Sequence, residues 1–272
     1  IDNGVIKSIK PAKPSNSSSG IDATGKLLLP GLVDLHTHLR EPGREDSETV
    51  QTGSQAAVAG GYTAISAMAN TNPVADTAGV VEQIYRLGKN TNLCDVNPIG
   101  AVTKNLDGEQ LAEIGAMADS IAKVRIFSDD GKCVSDPLIM RRALEYVKTF
   151  DGVIAQHAQD PRLTVNAQMN EGVISAKIGL TGWPAIAEEA IIARDILLTE
   201  HVKSRLHICH LTTAGGVDLV RWAKQRGIQV TAEVTPHHLL LTDDLVENYD
   251  PIYKVNPPLR TEKDVLALRE GL

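Results

Sequence analysis

From Leu32 onward, short apolar or β-branched runs alternate with longer segments whose apolar residues recur at helical spacing. The runs predict strands over 32–38, 63–69, 94–102, 123–128, 152–157, 205–211 and 229–234. The segments between them predict helices near 47–60, 77–90, 109–119, 136–149, 185–200, 214–226 and 262–271. Repeated strand-helix units favour a parallel sheet with right-handed crossovers. The count points to a (β/α)₈ barrel whose eighth strand is missing from this chain. An open doubly wound sheet is the competing topology, and it usually carries a glycine-rich turn after its first strand. Here that strand ends in His36-Thr37-His38-Leu39-Arg40 instead, which favours the barrel.

The first thirty residues break this rhythm. Pro11, Pro14 and Asn16-Ser17-Ser18-Ser19-Gly20 interrupt short apolar runs, as in a small β element with a solvated loop. The division expected is therefore a partial β-sandwich element over 1–30 and an incomplete barrel over 31–272. Asp2-Asn3-Gly4 is a turn signal directly before Val5-Ile6-Lys7-Ser8-Ile9, as if an earlier hairpin strand were cut away, and the last helix stops in mid-pattern. Both ends read as those of a fragment.

Composition narrows the function. The 272 residues can bury a sizeable core, and a net charge of −7 without a basic run argues against nucleic acid. No apolar run reaches membrane-spanning length and no signal peptide opens the chain. Cys94, Cys133 and Cys209 stand far apart without metal or secreted-domain spacing, so a cytoplasmic protein with buried thiols is expected.

The polar residues at strand ends carry the chemistry. Strand alternation puts Asp34, His36, His38 and Arg40 on one face, with Leu35, Thr37 and Leu39 on the other. Later strands end in Asn70-Thr71-Asn72-Pro73, Ser128-Asp129-Asp130-Gly131, Gln156-His157-Ala158-Gln159-Asp160 and His210, and the seventh is followed by His237-His238. In a barrel all of these gather at one mouth. Each also has a plain structural reading. His157 could be a satisfied core histidine, the aspartates an ordinary turn, His201 a helix-end cation, and His237 and His238 loop residues after Pro236. By alternation His207 and His210 face opposite ways, and His210, nearer the strand end, is taken as inward, with His207 structural. Yet so many of only eight histidines at strand ends is hard to explain by packing. Four imidazoles and a carboxylate exceed the needs of one tetrahedral zinc, so two metals with a bridging carboxylate fit better. Such a pair makes hydroxide available near neutrality and polarises a carbonyl. Metal-assisted hydrolysis of an amide, ester or phosphate follows.

Pro30-Gly31-Leu32-Val33-Asp34-Leu35-His36-Thr37-His38-Leu39-Arg40 resembles the signature of the amidohydrolase superfamily, and within it the class I dihydroorotases, whose metal bridge is an aspartate. The strand-end segments above match in order, as do Cys209-His210-Leu211-Thr212-Thr213, Thr231 to His238 and Lys254-Val255-Asn256-Pro257-Pro258-Leu259-Arg260. The resemblance implies a metal-dependent hydrolase barrel with two zinc ions. His36 and His38 would hold the first, His157 and His210 the second, and Asp130 would bridge, preferred to Asp129 by its place relative to His157. His38, Arg40, Asn70 and Asn256 would contact substrate, Arg40 and Asn70 at its carboxylate and Asn256 at the ring. The implied reaction is reversible closure of N-carbamoyl-L-aspartate to L-dihydroorotate in pyrimidine synthesis. A homodimer and an aspartate transcarbamoylase are the implied partners.

Two departures matter. The family's acid/base aspartate ends the eighth strand and would lie beyond Leu272, so no catalytic residue is assigned in this chain and weak or absent turnover is expected of it alone. Ala69 also stands where many relatives have proline. Rival readings are a dihydropyrimidinase, hydantoinase or allantoinase, and a non-catalytic subunit supporting aspartate transcarbamoylase. Many of the former bridge their metals with a modified lysine on strand four, where Lys123 comes too early.

Overall fold

Each of the seven apolar runs forms a strand, though most are shorter than the pattern suggests. The computed structural model describes residues 5–9 and 21–272. It divides into two units, Ile1–Gly31 and Leu32–Leu272. In the first, the described residues show a single bridge at Val5 and a turn near Thr24, whose backbone N–H donates to Asp22 Oδ1 at 2.9 Å. The Asp2-Asn3-Gly4 turn and the stretch from Pro11 to Gly20 lie outside the described residues.

The second unit opens with β1 (Leu32–Thr37), α1 (Val50–Ala59), β2 (Tyr62–Ala67), α2 (Ala78–Thr91) and β3 (Asp95–Pro98). It continues with α3 (Ile114–Asp119), β4 (Ile126–Phe127), α4 (Pro137–Val147) and β5 (Val153–Gln156). An excursion follows, made of β6 (Met169–Asn170), α5 (Val173–Ile178) and β7 (Gly182–Trp183). Then come α6 (Ile186–Val202), β8 (Leu206–Ile208), α7 (Ala214–Gln225), β9 (Val230–Ala232), α8 (Pro236–Leu240) and α9 (Glu262–Gly271). No described helix is long and apolar enough to cross a membrane.

All the strand pairings are parallel, in the orders β1-β2-β3 and β4-β5-β8-β9. A single residue joins the two runs. Gly100 N–H donates to Ile126 O at 3.1 Å, and Ser128 N–H donates to Gly100 O at 2.8 Å. A Cβ at Gly100 would lie 2.8 Å from Met117 Sδ and 2.9 Å from Phe127 Cδ1, so this junction requires glycine. The result is seven consecutive parallel strands with helices outside, the (β/α)₈ class of barrel, among whose described residues β1 and β9 are the edges.

Helix boundaries follow local chemistry. Asp136 accepts from Leu138 and Ile139 N–H at 2.7 and 3.0 Å, and Pro137 occupies the first turn of α4. The helix expected over 109–119 begins only at Ile114, because Lys104 N–H donates to Gln110 O and Thr103 bridges Leu111. The elements not expected, β6, α5, β7 and α8, are too short to show a period.

Two apolar layers pack the helices on the sheet. One joins Leu39, Val50, Ile84, Phe127, Met140, Leu144 and Ile154; the other joins Ile192, Ile196, Leu206, Ile208, Val217, Val220 and Val230. Each such side chain fully buried contributes roughly 1.5–3 kcal/mol. Met68, Ile99, Ala155 and Cys209 form a third cluster under the polar mouth.

Candidate metal centre

β1 does not keep strict alternation. Asp34 pairs with Ile65 and Thr37 with Ala67, so three steps on β1 face two on β2, a bulge at Leu35 and His36. Thr37 turns away as expected, its hydroxyl donating to Ser66 O at 2.8 Å, and Leu39 enters the helix-facing core. Val33 and Leu35, however, line the mouth cavity together with Asp34, His36, His38 and Arg40. The expected division of faces is therefore corrected for Leu35. Asp34 Oδ1 accepts from His36 N–H at 3.0 Å inside the bulge, and Arg40 leaves the strand with φ 58°.

The bulge aims both rings at Asp130. His36 Nε2 and His38 Nε2 are 3.3 Å apart, and each is 3.3 Å from Asp130 Oδ2. On the other side Asp130 Oδ1 is 3.2 Å from His157 Nδ1 and 2.9 Å from His210 Nε2, which are 3.0 Å from each other. These donor atoms form two groups that could hold a metal ion and share Asp130. Asp129 points elsewhere, accepting from Val102 and Thr103 N–H at 2.8 and 3.0 Å and from the Thr103 hydroxyl. The aspartate turn thus has one structural member and one facing the centre.

His210 reaches the mouth by a route alternation does not describe. Leu206 and Ile208 pack outward, and His207 points inward, where its Nε2–H donates to Glu233 Oε2 at 3.2 Å. The expectation that His207 and His210 face opposite sides is corrected: positive φ (32°) at His210 turns its ring back to Asp130. Likewise His237 and His238 are in the first turn of α8 and not in a loop. His238 is buried, its Nε2–H donating to Pro257 O at 3.1 Å and its Nδ1 accepting from the Thr235 hydroxyl at 2.7 Å. His237 lines the cavity, with its buried Nε2 unpartnered among the described residues.

Three rings are gripped at the nitrogen away from Asp130. His38 Nδ1–H donates to Asn70 Oδ1 at 2.9 Å, and His157 Nε2–H to Gln159 Oε1 at 2.8 Å. His36 Nδ1–H donates to Glu233 Oε1 at 2.5 Å. Such outer acceptors fix which ring nitrogen offers its lone pair inward. Glu233 was not singled out by sequence reasoning; the signal was an acidic residue directly after an apolar strand, within Thr231-Ala232-Glu233-Val234.

Burial disfavours charge on Asp130, but hydrogen bonds from His157, His210, His36 and His38 hold its carboxyl far below the usual range. Burial also works against a charged His36, and hydrogen bonds to Asp130, Cys209 and Glu233 overcome it, pushing that ring up to about 12. Burial pushes His210 down to about 4. Burial pushes the Cys133 and Cys209 thiols up to about 12, in keeping with inert thiols.

Above the cluster is a cavity of about 660 Å³ lined also by Arg40, Asn70, His237, Asn256 and Pro257. All the residues expected at the site therefore meet around it, and His201 remains at the end of α6.

A family model for dihydro-orotase-like proteins matches residues 25–215. A dihydroorotase from Streptomyces coelicolor is 69% identical over all of this chain and 64% of its own length. One from Leifsonia xyli is 72% identical over 93% of this chain and 58% of its own, and one from Mycobacterium tuberculosis 56% over 100% and 64%. The chain thus spans about 58–64% of the curated relatives it matches. Among solved structures, an L-hydantoinase (dihydropyrimidinase) from Arthrobacter aurescens superposes with a TM-score of 0.75 at 23% identity, covering 93% of this chain and 59% of that one. At that identity the likeness is one of fold.

Proposed function

Since the chain belongs to the dihydro-orotase-like family, we propose that it forms the active-site barrel of a dihydroorotase, which interconverts N-carbamoyl-L-aspartate and L-dihydroorotate with release or uptake of water. The centre is proposed to hold two zinc ions, one between His36, His38 and Asp130 and one between Asp130, His157 and His210. The observation that carries this is the shared carboxylate, one oxygen of Asp130 facing each histidine pair.

The donor set fits zinc. Two ligands about 2.0–2.1 Å from a tetrahedral ion are roughly 3.3–3.4 Å apart. The His36, His38 and Asp130 donors make a triangle with every side 3.3 Å, and the second triangle, with sides of 2.9–3.2 Å, needs only a small expansion. Bound there, the ions would supply a water activated near neutral pH and a Lewis acid for the amide carbonyl.

The remaining roles belong to this chain's own side chains. Arg40 can take the substrate carboxylate through two parallel N–H donors, a planar match that lysine lacks. Asn70 spends its carbonyl oxygen on His38, which leaves its amide N–H donors for the same carboxylate. His38 is the ligand nearest these two in function, tied to Asn70 on one side and to the centre on the other. Asn256 also lines the cavity and is assigned to the ring amide. The β element of 1–30 is proposed from the broken pattern of that segment and a cytoplasmic setting from the cysteine usage, while a homodimer and an aspartate transcarbamoylase partner rest on the family resemblance.

Turnover of L-dihydroorotate and of hydantoin by the intact protein, with its zinc content measured in parallel, tests the reading. Dihydroorotate should open faster, with two zinc ions per chain. Faster hydantoin opening would make this a general cyclic amidohydrolase, and a metal-free protein that still binds its partner would make it a scaffold.

A further inference from the structure

Glu233 is engaged at every oxygen the centre can reach. Oε1 accepts from His36 Nδ1–H at 2.5 Å and from the His210 backbone N–H at 3.2 Å, while Oε2 accepts from His207 Nε2–H at 3.2 Å. His36 comes from β1, His210 follows β8, and Glu233 follows β9. Because β1 and β9 are the two edges of the described sheet, the Glu233 to His36 hydrogen bond joins residues that no strand ladder connects.

We propose that Glu233 is a positioning residue of the metal centre, one carboxylate that sets a ligand in each histidine pair: the ring of His36 and the backbone seat of His210. The inference rests on the two-metal reading above. Two other rings are gripped by neutral amide oxygens, Asn70 on His38 and Gln159 on His157. Of these three gripped ligand rings, only His36 is held by a carboxylate, and a charge-assisted bond both fixes the ring more firmly and makes its inward nitrogen a better donor. At His210 a left-handed backbone would be strained for a side chain-bearing residue, and the Glu233 oxygen on its N–H is one of the contacts that hold it there.

The alternative is that Glu233 is itself a ligand. His36, Cys209 and Glu233 do form a group that could hold an ion, and the His36 atom that meets Glu233 is Nδ1. An ion there would need the Nδ1 side of His36, whereas Asp130 and His38 meet its Nε2 side. The two roles therefore demand opposite tautomers of one ring.

That opposition supplies the test. Long-range ¹H–¹⁵N correlation of the histidine rings in zinc-loaded full chain should show His36 protonated at Nδ1 and bound at Nε2. Zinc affinity, measured by competition with a chromogenic chelator, should fall about 10- to 100-fold in Glu233→Ala, as for other outer partners of metal-bound histidine. Glu233→Gln should recover most of the loss, because its amide oxygen can still accept from His36 Nδ1–H. His207 can adapt to the new amide by exchanging tautomers, since the Thr231 hydroxyl beside its Nδ1 both donates and accepts. A folded Glu233→Ala chain with wild-type zinc affinity and an unchanged His36 tautomer overturns the proposal. So does Nδ1-bound His36 in the wild type. Failure of the underlying reading looks different: the wild-type chain then takes up no zinc, and Asp130→Ala changes nothing.

Discussion

The two halves of the centre share a carboxylate and differ in almost everything else. His36 and His38 keep 13% and 27% of their side-chain surface, whereas His157 and His210 keep 2% and 9%. Among the described strands β1 pairs with β2 alone, while β5 and β8 are paired on both sides. The more open half, His36 and His38, is the one tied to Asn70 through His38, and the more closed half is His157 and His210.

Removing the shared group should have the largest effect. Asp130→Ala leaves neither half with a full donor set, and elemental analysis after gel filtration should find zinc lost from both; retention of one ion would mean that the halves are independent. The next experiment separates them. In metal-free chain His157→Ala should cost about 1–3 kcal/mol in urea unfolding, because it strands buried partners such as Asp130, while His38→Ala should cost less than about 1 kcal/mol. Equal costs would erase the distinction.

Acid should weaken the wall of the cavity at His238. Burial pushes His238 down to about 3 from its ordinary 6.5, so the unfolded chain takes up a proton there that the folded chain refuses. This contribution to stability is complete above pH 6.5 and is lost as pH falls from 6.5 toward 3, amounting to about 2 kcal/mol between pH 7 and pH 5. His238→Gln should flatten that part of the profile. The smallest effect is expected at Arg40. Arg40→Lys should raise KM for dihydroorotate about tenfold, one bidentate contact becoming a point charge, with zinc content unchanged. A drop in zinc instead would assign Arg40 to the centre.

Most of the scaffold was legible because burial and period coincide in it. Ile65, Val96, Ile154, Ile208 and Val230 are buried and mark strands separated by segments of helical spacing, and His36, His38, Asp130, His157 and His210 stand at strand ends. What could not be read is what breaks the period. The bulge in β1 and the left-handed backbone at His210 are tertiary choices, made where a ring must reach Asp130, and each reassigned neighbours that alternation had placed. Glu233 escaped notice for another reason: its partners are His36, His207 and His210, remote in sequence or on another strand, so nothing local marks it.

The turn after β1 adds one more constraint. Gly43 has φ 99°, and a Cβ there would fall 2.1 Å from Asn72 O, while Asn72 N–H donates to Pro42 O at 2.9 Å. Backbone rests directly on backbone, so the loop carrying Arg40 and the loop carrying Asn70 behave as the two jaws of a caliper locked at one gap. Under the proposed function that gauge would sort anionic substrates by length. A drift in specificity would then have to alter both jaws together, since widening either one alone would lose the stop against which the other is set.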